Sequence, residues 1–550
     1  MKRLLLFLLC LCPLSLMAQL SHGGAPLLQE SKSPVPTLTL PALNNADYLR
    51  QDMEGVPGAS PLRLGVMRQV NISSFDNGSM QVLADGTRVW RMAVRSPGAT
   101  FIALYFSQFD LPEGASLFVY NDDMAIGSFN ASNRLPDGTF FTQSLPGDHC
   151  VIEYQVPASV KETGHWQINR IIHGYKPFNG RANESKDRMG MAGDCHINVA
   201  CSDADPYRDQ VRSVVCMLLA TEKGAYFCSG ALINNTANDK TPYILSAYHC
   251  QDLPDPLVGI TFYFNYQATS CDNDWVGPNN QTLIGAEIVA KETPSGGSDM
   301  LLMRLYDAVP DTYQPYYAGW DRNVVERPRP GFAIHHPAGD FKKISIPYTL
   351  RQGQGQGVFS QYPVNLVKYY KAEWTDKGII EGGSSGSPLF NDQKLIIGQL
   401  SAGHGDCSDT YNAEAWYGRF ASDWVGAGTA ATRVSDWLDP LNTGVKQCQG
   451  LNYDATVKPP HIVNANELHL YPNPGEGMMR VDVEEIGEAT YQVFNTQGFL
   501  VYEGTTIFAT TTQAINLTFL PSGAYIIHLH TQDADGNDKL YANTFIIKKQ

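Results

Sequence analysis

The sequence predicts an all-β protein, and three observations carry that prediction. Glycine (49 residues), proline (33) and tyrosine (27) are abundant in a chain of 550. Long helix-forming blocks are scarce. The apolar residues gather in short runs that alternate with polar ones between turn residues. A chain of this length exceeds what one hydrophobic core sustains, so roughly two to four domains are expected.

Lys2 and Arg3 precede an apolar run from Leu4 to about Met17, with Ala18 as the last residue before cleavage, and residues 1–18 read as a signal peptide. Bulky Phe7, Leu8 and Leu9 precede Cys10, which argues against a lipid-anchored cysteine. No later segment is long and apolar enough to predict a transmembrane helix. Residues 19 to about 70, rich in proline, serine and leucine, read as a loosely structured leader. From about 85 to 175, the runs Thr87–Val94, Phe101–Phe106 and Ser116–Tyr120 predict a small β-sandwich. From about 190 to 450, Val211–Ala220, Gly230–Ile233 and Tyr243–Leu245 read as buried strands, and the length suits two packed barrels. Lys458-Pro459-Pro460 marks a linker, 451–464, and strands at Tyr491–Phe494 and Gly523–Leu529 predict a separate immunoglobulin-like sandwich over 465–550.

The formal charge of −15, with no basic stretch, argues against nucleic acid as a partner and fits a soluble exported protein. Of eleven cysteines, Cys10 and Cys12 fall in the signal segment, and six others cluster: Cys195, Cys201, Cys228, Cys250, Cys271 and Cys407. After export such a cluster predicts disulfides, and without a C-x-x-C pair no zinc site is expected. Cys150, Cys216 and Cys448 are left over, with Cys216 read as a buried thiol in an apolar strand. His335 and His336 are adjacent rather than helix-spaced and read as structural, so no metal and no cofactor are expected.

Chemistry concentrates in Glu381-Gly382-Gly383-Ser384-Ser385-Gly386-Ser387-Pro388. A serine hydroxyl becomes a nucleophile when a base takes its proton and donors stabilise the oxyanion that follows. The flanking glycines let the Gly383 and Ser385 N–H groups turn inward as that oxyanion hole, and Gly386 leaves room for a substrate carbonyl. The base is His249 in Leu245-Ser246-Ala247-Tyr248-His249-Cys250, held rigid if Cys250 is bridged. Asp299, at the mouth of the apolar run Met300–Met303, is the carboxylate that would fix its tautomer. Gly382–Gly386 also fits G-x-S-x-G with Ser384 as the nucleophile of an α/β-hydrolase. That fold needs an acid, then a histidine, downstream among helices; only His404 follows before the C-terminal unit, and helices are missing. The order His249, Asp299, Ser385 is instead that of the chymotrypsin fold.

Residues 190–450 resemble lysyl endopeptidase, a trypsin-like serine protease family. The resemblance rests on Cys228–Asn235, Leu245–Cys250, Gly319-Trp320-Asp321, Ile334–Pro337, Gly383–Pro388, Tyr417-Gly418-Arg419 and Ser435–Pro440. It implies a secreted endopeptidase acting on protein or peptide substrates, with bridges Cys195–Cys407, Cys201–Cys271 and Cys228–Cys250. Residues 19–189 would then be a propeptide that assists folding or covers the site. Ser401, Gly403, Glu414 and Ala415 are expected at the specificity pocket. Where the family carries an aspartate that grips lysine, this sequence has Ala415, with Glu414 one position away. The junction Lys186-Asp187-Arg188-Met189-Gly190 also departs from self-cleavage after lysine. Both departures predict a relaxed or apolar preference before the cut bond. Residues 465–550, opening on Tyr471-Pro472-Asn473-Pro474 and ending in Lys548-Lys549-Gln550, resemble the C-terminal sorting domain of type IX secretion, which implies engagement of that machinery. The alternatives are a catalytically silent adhesin on a protease fold and, for the last unit, a carbohydrate- or protein-binding accessory domain.

Overall fold

The computed structural model describes residues 22–29, 31, 33–54, 61–74, 78–178, 192–253, 255–272, 281–354, 357–359, 362–364, 368–375, 377–454, 466–483, 486–495, 500–520, 522–532 and 538–549. The expected signal peptide, the 186–190 junction and the Lys458–Pro460 linker lie outside the described residues. The chain forms two compact units, Met1–Thr236 with Pro242–Ala455, and Thr456–Gln550 with Ala237–Thr241. Both are mostly β.

In the first unit, one barrel-like sheet runs through Thr282–Ile284, Leu257–Tyr263, Val214–Thr221, Gly224–Ile233, Tyr243–Ala247, Met300–Leu305 and Ala286–Glu292, each antiparallel to the next. A second runs through Ile197–Asn198, Lys343–Ser345, Pro330–His335, Pro388–Asn391, Ile396–His404, Glu414–Arg419, Lys368–Trp374 and Pro347–Gln354. Strand alternation explains the long apolar runs. Leu301 and Met303 point into the first barrel with Val215, Met217 and Leu219. Met300 and Leu302 point the other way, into a seam with Trp320, Phe332 and Phe390 of the second barrel. The apolar run at 211–220 is not one strand: Arg208–Ser213 is a short helix, closed by an Arg212–Asp209 ion pair at 2.6 Å, and the strand starts at Val214. Leu451–Asn452 pairs with Tyr316–Tyr317, so regular structure continues past residue 450.

The leader is more ordered than its composition predicts. Asn45–Glu54 is a helix and Leu62–Ser73 a twelve-residue strand. That strand forms because it has two neighbours, His165–Gly174 from the 85–175 segment, with which the leader makes one propeptide-length region, and Gly224–Phe227 of the first barrel. Such long-range pairing leaves no mark in local composition. Arg88–Arg95, Phe101–Asp110, Ser116–Tyr120 and His149–Val156 add further strands. Their core, with Trp90, Phe106 and Trp166, is continuous with Cys216, Leu218, Ala220, Phe227 and Tyr263 from the barrel.

The second unit has a five-stranded and a three-stranded sheet around Val481, Val493, Ile527 and Phe545.

Candidate active site

Asp299 precedes the strand Met300–Leu305 and has a left-handed backbone (φ 59°), a conformation that aspartate tolerates better than most residues. It is buried, and four hydrogen bonds converge on it. Its carboxylate accepts from His249 Nδ1 at 2.7 Å, from the His249 N–H at 3.0 Å and from Ser401 Oγ at 2.6 Å. Its carbonyl accepts from the Tyr248 N–H at 3.1 Å. The proton on His249 is therefore fixed at Nδ1, leaving Nε2 as the basic nitrogen. Burial depresses the His249 pKa, but the Asp299 charge and hydrogen bond outweigh it and hold it above the ordinary imidazole value. His249 lies in a single turn, Tyr248–Cys250, tied to Cys228 on the neighbouring strand by a disulfide. Ser401, expected at the specificity pocket, thus donates to the Asp299 carboxylate.

Ser385 is half-buried, and among the described residues its hydroxyl makes no hydrogen bond to His249. Free enzymes commonly close this bond only with substrate in place. Ser229 joins the two sides. Its N–H donates to the Ser385 carbonyl at 2.8 Å, and its Oγ donates to the Gly383 carbonyl at 2.9 Å while accepting the His336 N–H at 3.0 Å. Sequence reasoning missed this role for Ser229; its place beside Cys228, whose partner adjoins His249, was the available signal. Gly383 has φ 96°, and a Cβ there would lie 2.8 Å from the His336 carbonyl, so only glycine fits. Gly386 is glycine for a different reason than room for substrate: a Cβ would meet Ser246 Oγ at 2.1 Å and the Ser229 carbonyl at 2.5 Å. Among the described residues, the N–H groups of Gly383 and Ser385 donate to no other protein group.

The loop carrying these N–H groups hangs on a chain of neutral hydrogen bonds whose proton order can be worked out. Ser345 Oγ donates to the Ile379 carbonyl at 2.8 Å, so it accepts from His335 Nε2 at 2.9 Å. His335 Nδ1 must then accept, and it takes the Ser384 hydroxyl proton at 2.8 Å. Ser384 Oγ in turn accepts the Glu381 N–H at 3.2 Å. Burial, then His196, His336 and Lys343, push the His335 pKa well below its usual value, which keeps the ring neutral as this order requires. Glu381 accepts from the Gly193 N–H at 3.2 Å and lies 3.4 Å from His196.

Beyond the loop, Gly403 is paired with Ala415. A Cβ on Gly403 would lie 2.6 Å from Ile380 Cδ1, and one on Gly405 would lie 3.1 Å from Ile379 Cδ1 and 2.6 Å from Ala413 Cβ. Ile379, Ile380, Ala413 and Ala415 are all buried, so this wall is apolar. Glu414 falls on the opposite face of its strand from Ala415, with Lys371 Nζ 2.5 Å from its carboxylate. The remaining bridges are Cys195–Cys407 and Cys201–Cys271, and Cys150, Cys216 and Cys448 are free and buried.

These features belong to the serine-peptidase class, and sequence comparison narrows it. Residues 189–418 match the family described as lysyl endopeptidase, C-terminal domain, and residues 469–543 the secretion system C-terminal sorting domain. The lysyl endopeptidase of Pseudomonas aeruginosa is 25% identical over 358 residues, 61% of this chain and 72% of that protein. Among solved structures, the Rv3671c protease of M. tuberculosis in its active form overlaps at a TM-score of 0.29 with 14% identity, covering 44% of this chain and 91% of that one. The protease Anisep from Arthrobacter nicotinovorans overlaps at 0.27 with 13% identity, covering 41% and 93%. Overlaps this slight carry no argument, and the fold rests on the strand pairing itself. The central segment is lysyl-endopeptidase-like and is followed by a type IX sorting domain.

Proposed function

We infer that the protein is an exported serine endopeptidase with Ser385, His249 and Asp299 as its triad. The observation that supports this best is the buried Asp299 bonded to His249 Nδ1, which leaves Nε2 as the base. In this reading His249 Nε2 takes the Ser385 proton as Oγ adds to a peptide carbonyl. The oxyanion lies between the Gly383 and Ser385 N–H groups, which no acceptor claims among the described residues. Collapse breaks the C–N bond, His249 returns the proton to the leaving amine, and water activated by the same nitrogen hydrolyses the acyl-enzyme. Asp299 orients the imidazole and stabilises its charged form. Residues 19–189 act as a propeptide, and 465–550 engage the secretion machinery before removal.

The wall of Ile379, Ile380, Gly403 and Ala415 favours an uncharged residue before the cut bond. A lysine ammonium buried there would lose its hydration without a counter-ion, since Glu414 is engaged by Lys371. The test is a cleavage-site profile of the processed enzyme on denatured mixed proteins, with Ser385→Ala as control. Cuts after apolar or small residues, absent from the control, are expected. Cuts after lysine would overturn the uncharged pocket, and no cuts beyond the control would overturn the enzyme.

A further inference from the structure

The strand Leu62–Ser73 crosses from the leader into the catalytic barrel. It pairs antiparallel with Gly224–Phe227 in the register Leu62–Phe227, Arg63–Tyr226, Gly65–Ala225 and Val66–Gly224. A further hydrogen bond runs from the Met67 N–H to the Lys223 carbonyl at 2.9 Å. The residues after Phe227 are Cys228, bridged beside His249, and Ser229, which holds Ser385. Antiparallel pairing therefore points the start of the leader strand at the nucleophile. Its first residue is already there: a Cβ on Gly382 would lie 3.8 Å from Leu62 Cβ and 3.9 Å from Leu62 Cδ1. Pro61, directly before it, is buried.

We propose that the Gly224–Phe227 edge is a docking surface for an extended polypeptide and that the leader residues Leu62–Val66 are its built-in occupant, keeping the peptidase latent. The chain leaves Ser385 as it runs from Leu62 to Val66. A peptide lying along the same edge in the same direction therefore has its reactive bond upstream of the paired residues. The leader covers the side on which the leaving fragment would sit, by the main-chain pairing used in strand addition. Arg63 clamps this end of the strand. Its guanidinium is 2.8 Å from Asp52, bonded to Tyr175 Oη at 2.8 Å, and packed over the Tyr48 and Tyr175 rings. At the same end the N-terminal region and the barrel share one apolar core, in which Phe178 packs on Phe227, the partner of Leu62, and on Tyr263 and Tyr266. A cut between the two segments therefore leaves the strand seated, and activity appears only when the strand is displaced or destroyed.

This inference rests on the peptidase reading, and the experiment separates the two. The intact chain, the chain nicked at a protease site inserted between 179 and 191, and the intact double variant Leu62→Asp/Arg63→Glu are compared. Each is tested on a quenched peptide extended four residues past its reactive bond, and on a small serine-reactive phosphonate. Amide hydrogen exchange of Gly224–Phe227 is followed in parallel. The double variant is expected to hydrolyse the peptide about tenfold faster or more, with faster exchange at Gly224–Phe227, while the nicked chain stays slow and protected. Equal peptide rates in the intact chain and the variant, despite phosphonate labelling, would overturn the docking proposal alone. Full activity in the nicked chain with Gly224–Phe227 still protected would overturn it as well. No labelling in any form, including one whose leader has been digested away, would overturn the peptidase reading and the proposal with it. Should the variant fail to fold, exchange in the intact chain decides, since unprotected Gly224–Phe227 amides would exclude a seated strand.

Discussion

On the first barrel the proposed base, His249, is held by a charge, and on the second the loop bearing the proposed nucleophile, Ser385, hangs on a chain of neutral hydrogen bonds. His249 is fixed by a buried carboxylate that itself takes three hydrogen bonds, from the His249 ring, the His249 N–H and Ser401. The Ser385 loop hangs on Glu381, Ser384, His335 and Ser345, a series in which each hydroxyl and the His335 ring both give and receive one proton. The contrast follows from what each side must do. The base gains a proton during the reaction and needs a compensating charge nearby. The loop presents N–H dipoles to a transient oxyanion, where a fixed carboxylate would oppose the developing charge.

The difference can be broken from either side. Asp299→Asn should have the larger effect: turnover falls by about 10⁴-fold, because the amide no longer enforces the Nδ1–H tautomer. The sign of the pH shift follows from the causes of the raised His249 pKa. Removing Asp299 deletes the two larger contributions that raise it and leaves burial, the largest single cause, which lowers it, opposed only by Asp252. The acidic limb of the rate profile should therefore move to lower pH, and an unmoved limb would show that Asp299 does not set this pKa. Ser384→Ala strands His335 Nδ1 and the Glu381 N–H. It should reduce kcat by about 10- to 100-fold with KM little changed. A peptide boronate should lose affinity by the same factor while the pH limb stays put. Equal losses in substrate and boronate binding would mean general loosening instead of a misplaced oxyanion hole. Glu414→Gln should do least. Both partners of the Lys371 pair are partly exposed, so the stability change should stay within about 1 kcal/mol, read by thermal melting. The cleavage profile should not change. A profile that changed would place Glu414 in the pocket.

Much of the fold was legible because barrel strands advertise themselves. Met300–Met303 and Val214–Ala220 are apolar on both faces: one face lines the first barrel, and the other meets the second barrel at Met300 and Leu302 and the N-terminal core at Cys216, Leu218 and Ala220. The leader strand was not legible, because Leu62–Ser73 owes its form to neighbours far away in sequence, from Gln167 opposite Ser73 to Phe227 opposite Leu62. In the candidate site, motif and order were enough to single out His249, Asp299 and Ser385, and the structure joins the first two directly. What escaped were residues acting through hydroxyls. Ser229 was marked only by its place beside Cys228, Ser384 drew notice only as a rival nucleophile, and nothing sets Ser345 apart; their hydrogen-bonding roles exist only once three strands and a loop converge. Ile379 and Ile380, an apolar pair just before the motif, are loop residues closing the wall near Ala415.

The bridge between Cys228 and Cys250 ties the catalytic machinery to geography. It clamps the turn bearing His249 to the strand bearing Ser229, which grips the Ser385 loop. While both thiols remain reduced, as they would in the cytosol where the chain is made, the two sides lack their covalent tie. Export into an oxidising compartment supplies it. In the proposed reading, the two halves of the site are locked together only after departure from the cell that makes them.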